Sequence, residues 1–225
     1  MSPDLLAGPV VIKTSSSPGD PEHIFFLRGT CHSGAGPIKS FAYRVALDEP
    51  DRGDVKFYLI DKIESVTADR LVGIKVVSLA EEYLADHFPT FPVLPGVMML
   101  EALTQAAAWC LHARHGFSKS MAVLKEARNV KYGKFVTPGD TLRLEVELIR
   151  LTEGHSPGEC GGLFKGVGSV AGGSALTARL QIAYFNLAEM QSDLACVDRR
   201  LIEHHRGRWD ILTHGGVAGL LGVQA

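Results

Sequence analysis

The chain has 225 residues, of which 46% are hydrophobic and 21% charged. That is the balance of an ordinary globular protein, and it excludes a disordered or fibrous chain. A formal net charge of −2 gives no global case for nucleic acid or an anionic membrane surface, so a charge-guided partner would have to be read by a local patch.

Residues 1–52 are rich in Gly, Pro and Ser, as in "SSSPGDPEH" and "CHSGAGP", and are expected to form a poorly ordered extension. Two short apolar runs within it, "HIFFL" and "FAYRVAL", have strand character. The apolar stretch holding Leu5, Leu6, Val10, Val11 and Ile12 is interrupted by Pro and Gly and has no basic region before it, so no signal peptide is expected. No apolar run approaches the roughly 20 residues that span a bilayer. Cys31, Cys110, Cys160 and Cys196 lie far apart with no CxxC pair. This argues against a disulfide framework or a zinc finger, and the cytoplasm is the expected compartment.

Residues 53–190 carry the clear patterning. "KFYLIDKIESV" and "RLVGIKVVSL" are β-branched and aromatic and flank a polar "TAD" turn, which predicts a strand pair. A proline-punctuated loop, "HFPTFPVLPG", leads into "VMMLEALTQAAAWCLHARHG". The second segment reads as a helix, with Pro95 and Gly96 at its start and His112, Arg114, His115 and Gly116 at its end. It is apolar nearly all round, so it should be buried on most sides. Four further strand-like runs follow, around 121–130, 140–151, 161–171 and 174–186, with turns at "TPGD" and "AGG". One buried helix among about six strands predicts an α+β fold in which an antiparallel sheet wraps a long central helix. Residues 191–225 predict a surface helix, from the spacing of Leu194, Val197, Leu201 and Ile202, and then a flexible tail.

The candidate chemistry lies in "DHFPTFPVLPGVMMLEALTQ". His87 opens the loop, and Pro89, Pro92 and Pro95 stiffen the path from it to the helix. Glu101 sits inside the helix among Met99, Leu100, Ala102 and Leu103. A carboxyl group there is costly to ionise, so burial should raise its pKa and suit it to donate a proton near neutral pH. Gln105, one turn on, can orient that carboxyl. The N–H groups of Gly96 and Val97, at the positive end of the helix, suit a thioester carbonyl that gains negative charge. Gly96 would also let a substrate approach the backbone. Lys125, Arg128, Lys131 and Lys134 are open to two readings, a solvated strand edge or a docking patch for an acidic carrier protein. His204 and His205 read as solvated helix residues without a metal role. Cys110 reads as a packed core residue.

Taken together, "HFP", "PVLPGV", Glu101 and Gln105 resemble, in order and spacing, the active-site segment of the 3-hydroxyacyl-acyl carrier protein dehydratases of bacterial fatty acid synthesis. "FYLIDKI" is similar to that family's first strand, and "KYGKFVTPGD" to its basic-aromatic run before Pro-Gly-Asp. Asp86 and Thr90 stand where the family usually has glycine. The resemblance covers about 57–188 and implies a hot-dog fold. It implies that His87 is the catalytic histidine, Glu101 the catalytic carboxylate, and the Gly96 amide the group that polarises the thioester. It also implies an obligate homodimer or larger homo-oligomer, because histidine and carboxylate come from different protomers. Sheets joined edge to edge would enclose an acyl tunnel. The substrate would be a 3-hydroxyacyl chain on the phosphopantetheine of acyl carrier protein, and because its thioester already acidifies C2 no cofactor or metal is expected. Within the same fold, a thioesterase, an enoyl-CoA hydratase and a non-catalytic acyl-binding protein stand as alternatives.

Overall fold

The computed structural model describes residues 10–14, 25–30, 41–43, 57–88, 90–154 and 159–214. The central unit is built from six antiparallel strands and one long helix. β4 (Lys62–Val66) and β5 (Arg70–Val76) form the expected pair. A short helix α1 (Tyr83–Asp86) and the proline loop lead to α2 (Gly96–Arg114), followed by β6 (Met121–Tyr132), β7 (Thr141–Thr152), β8 (Gly161–Val170) and β9 (Gly173–Phe185). All four runs placed after the helix are strands, each within two residues of its expected bounds.

Three more strands precede these, β1 (Val10–Thr14), β2 (Phe25–Thr30) and β3 (Phe41–Tyr43). "HIFFL" overlaps β2 and "FAYRVAL" overlaps β3, whereas β1 falls on the apolar stretch read only as lacking signal-peptide character. The rest of residues 1–52, Cys31 included, lies outside the described residues. Among the described residues the strands form one nine-stranded sheet in the order β3-β2-β1-β6-β9-β8-β7-β5-β4, with every neighbouring pair antiparallel.

Alternation in the strands explains which face is covered. In β9, Leu176, Ala178, Leu180 and Ile182 are buried, while Arg179 between them is exposed. In β7, Leu142, Leu144 and Val146 are buried on the same face. That face packs on α2, whose Ala102, Leu103, Ala106, Ala107, Cys110 and Leu111 are almost fully inaccessible. Burial on so many sides is what a helix without a polar stripe requires. Gly166 on β8 lets this happen at close range, since a Cβ there would lie 3.0 Å from Leu103 Cδ1. This single helix wrapped by an antiparallel sheet is the hot-dog arrangement.

The C-terminal segment departs from a simple surface helix. α3 (Ala195–Thr213) buries Val197, Trp209 and Leu212. Buried Asp198 accepts hydrogen bonds from the N–H groups of Leu187 (2.8 Å) and Ala188 (2.9 Å) and from the Ser120 hydroxyl. These contacts fasten α3 to the end of β9 and the start of β6. His205 is correspondingly not a solvated residue. It is partly buried, with Nε2 3.0 Å from the Ser120 carbonyl, and because a carbonyl only accepts, that nitrogen carries the proton. The tail after 214 lies outside the described residues. Among the described residues, no helix is long and apolar enough to cross a membrane.

Candidate active site

His87 follows α1, and its N–H donates to the Tyr83 carbonyl at 3.2 Å. The approach to α1 is anchored by Lys75, only 5% exposed, whose Nζ lies 2.6 Å from Glu81 Oε1 and 3.4 Å from Asp61 Oδ1. A buried ammonium needs such partners, so this pairing ties the segment before the histidine to β5. Beyond His87 the chain turns sharply. Phe88 has φ +53°, a left-handed backbone that costs a bulky residue about 1–3 kcal/mol. The turn is closed by the Phe91 N–H donating to the Phe88 carbonyl at 2.8 Å, and the rings of His87 and Phe88 meet at 4.4 Å. Further on, the Leu94 N–H donates to the Val136 carbonyl at 2.8 Å, and Phe91 meets Phe135 edge-on at 5.9 Å. The loop is thus held against the β6–β7 connection. The side chain of Asp86 and all of Pro89 lie outside the described residues.

Glu101 lies in the second turn of α2 and is partly buried. Burial pushes its pKa up, opposed by the hydrogen bond from Gln105. The Gln105 amide NH2 donates to Glu101 Oε1 (3.1 Å) and to the Phe57 carbonyl (3.0 Å), while its oxygen accepts from the Leu59 N–H (3.0 Å). A flipped amide would set oxygen against oxygen and N–H against N–H, so the backbone on either side of Tyr58 fixes which end faces Glu101. Glu101 therefore meets a donor whose orientation cannot reverse. Phe57 and Leu59 were not legible as site residues, because they act through backbone groups.

Gly96 is the first residue of α2, and Pro95 flanks it. Its N–H and that of Val97 fall at the helix start, where no residue four positions back is helical. The expected close approach to Gly96 is made by protein: a Cβ there would lie 2.8 Å from Tyr132 Cε1. The ring of Tyr132, the last residue of β6, thus packs against the first turn of α2 at Gly96. Val97 is 70% exposed, unlike the buried residues of the next turns.

The structure brings Gly96, Val97, Glu101 and Gln105 together on one helix. Among the described residues it records no hydrogen bond between His87 and Glu101. Around the loop and the helix mouth, Phe88, Phe91, Val97, Tyr132 and Phe135 are all more than half exposed. Lys125, Arg128 and Lys131 are exposed along β6 and Lys134 in the loop after it. Arg128 is paired with Glu126 at 2.7 Å and stands opposite Arg179 of β9. Cys110 is a core residue, 1% exposed, and burial pushes its thiol pKa up to about 12.

The class this architecture defines is the hot-dog domain, here with a partly buried carboxyl, Glu101, in its central helix. Residues 53–178 match the FabA-like domain, and the chain belongs to that family. It is 43% identical over 95 residues to the 3-hydroxyacyl-acyl-carrier-protein dehydratase FabZ of Clostridium perfringens (strain SM101), covering 42% of this chain and 68% of that protein. Identity to the FabZ of Geobacillus thermodenitrificans is 39% over 128 residues, 56% of this chain and 84% of that protein. Among solved structures, the dehydratase heterocomplex ApeI:P from Xenorhabdus doucetiae matches with a TM-score of 0.50 at 20% identity, over 63% of this chain and 92% of that one. That last likeness concerns the fold.

Proposed function

We propose that the protein is a hydro-lyase that converts a (3R)-3-hydroxyacyl chain on acyl carrier protein to the trans-2-enoyl thioester, as a step of fatty acid biosynthesis. Its family and its FabZ relatives support the activity. The observation that carries the chemistry is Glu101: a carboxyl sunk in an apolar helix, its pKa raised, meeting a donor fixed by the backbone.

In the proposed reaction the Gly96 N–H, aided by the helix dipole and the neighbouring Val97 amide, receives the thioester carbonyl. Negative charge developing there as C2 loses its proton is stabilised by those donors. His87 takes the C2 proton. The electron pair forms the C2–C3 double bond, the C3–O bond breaks, and Glu101 of the partner subunit delivers the proton that makes the leaving hydroxyl water. The excess proton on His87 returns to the carboxylate through solvent, which restores both groups. No metal or organic cofactor takes part, because the thioester itself acidifies C2.

The pairing across subunits explains two features of one chain. His87 and Glu101 share no hydrogen bond within it, and the aromatic and aliphatic residues about the loop are uncovered. A second copy of this chain covers them in the proposed dimer, since exposed apolar patches around a site mark an interface. Arg128, Lys131 and Lys134, with Lys125, supply a positive field for an acidic carrier protein. The experiment is a product assay with 3-hydroxyacyl chains on acyl carrier protein. Formation of the enoyl thioester is the expected result. Release of free thiol would make the protein a thioesterase instead, and no turnover of any carrier would leave it an acyl-binding protein.

A further inference from the structure

α3 lies outside the residues that match the FabA-like domain, which end at 178, yet it reaches toward the site. His204 Nε2 lies 3.2 Å from the Tyr58 hydroxyl. The guanidinium carbon of Arg208 sits 4.1 Å from the centroid of the Tyr58 ring, within the range of a cation–π contact. Tyr58 is the residue between the two backbone groups that hold Gln105. The Phe57 carbonyl is the peptide before it and the Leu59 N–H the peptide after it, so the conformation of Tyr58 sets the joint aim of both.

We propose that α3 is a positioning element for the site: His204 and Arg208 grip Tyr58, Tyr58 aims the peptides that lock the Gln105 amide, and Gln105 orients the Glu101 carboxyl. Residues 57–60 precede β4 and belong to no strand. Leu59 and Ile60 are buried, but apolar burial is non-directional and sets depth more than rotation. The hydrogen bond and the cation over the ring supply direction. Tyr58, His204 and Arg208 touch no reacting atom in this scheme and act only through Gln105. The inference rests on the reading of Glu101 as the proton donor.

The test compares Tyr58→Phe, Arg208→Ala and the double variant with the parent and with Arg208→Lys, which keeps a cation over the ring. Ile211→Ala, an exposed change on the same helix, serves as a control that leaves activity unchanged. The double variant is expected to lose about tenfold in kcat with little change in KM, the pattern of a group needed in the transition state alone. Its alkaline activity limb should move to higher pH, because a carboxylate that loses a donated hydrogen bond holds its proton more tightly. Arg208→Lys should recover most of the loss. An NMR titration of the Glu101 carboxyl should show the same upward shift without turnover, so the positioning is read separately from catalysis. If Glu101→Gln stays active, the reading of Glu101 as donor fails while the titration still judges the positioning. An unchanged carboxyl titration in the double variant, with α3 still folded, overturns the inference.

Discussion

Gln105 donates to Glu101 Oε1 at 3.1 Å while both ends of its amide are engaged by the backbone at Phe57 and Leu59. One side chain thus couples the chain entering the sheet to the carboxyl in the central helix. Replacing Gln105 by Leu removes the donor and leaves two backbone groups unpaired, at a stability cost of about 2 kcal/mol. It should also raise the pKa of Glu101 further, since the lost hydrogen bond is the influence that lowers it. A kcat–pH profile is expected to show a lower maximum and an alkaline limb displaced to higher pH. A limb moving to lower pH would contradict the assignment.

Glu101 should also mark the stability profile. Its pKa in the folded protein stands above the ordinary 4.5 because burial disfavours the charge. The folded state then holds the proton more tightly than the unfolded chain, and stability falls as pH rises from that ordinary value through the folded one. Glu101→Gln removes this loss. The variant should melt at a higher temperature than the parent at neutral pH, and the gap should close toward pH 4. Thermal melts across that range provide the check.

His112 gives the opposite slope. It is 3% exposed, packed among Trp109, Phe117, Tyr184, His115 and His205. Burial first, then the nearby histidines, pushes its pKa down from 6.5 to about 3. The unfolded chain takes up a proton below its ordinary pKa that the folded protein refuses. Stability is therefore present above pH 6.5 and lost as pH falls toward about 3. His112→Phe keeps the ring packing and removes the titration. Denaturant midpoints at pH 7 and pH 5 should differ less in the variant than in the parent. A residual slope should remain from His205, whose pKa burial also lowers.

At the helix mouth, Gly96→Ala would place a methyl group 2.8 Å from the Tyr132 ring. The clash should cost about 1–3 kcal/mol and displace the ring from Gly96. Tyr132→Ala should relieve most of the stability loss when combined with it. Urea midpoints of the two single variants and the double variant measure the coupling, and strictly additive losses would show that the ring and the glycine do not meet.

Much of this fold was legible because its signals are local. The strand-like runs, the Gly and Pro punctuation, and the all-round apolar character of α2 each follow from nearby residues, and they predicted β4 to β9 and α2. Glu101 was legible as a carboxyl among Met99, Leu100, Ala102 and Leu103, a conflict that local polarity alone reveals. The role of Tyr58 was not, since it depends on α3 arriving from far along the chain. His205 was misread for a related reason: its helix looks amphipathic and solvated until Trp209 and Leu212 are seen buried, with Asp198 tied to the end of β9. The turn at Phe88 was also hidden, because a left-handed backbone at a bulky residue goes against its intrinsic preference.

The most direct measurement mixes two inactive variants. His87→Ala and Glu101→Gln are each expected to abolish dehydration while folding normally. If one site draws its imidazole from one subunit and its carboxyl from the other, a mixed dimer contains one intact site. Co-expressed at equal levels, the two variants should recover about a quarter of parental activity, as random pairing in a two-fold dimer dictates. A mixture as inactive as its components would contradict a site shared between two copies of this chain.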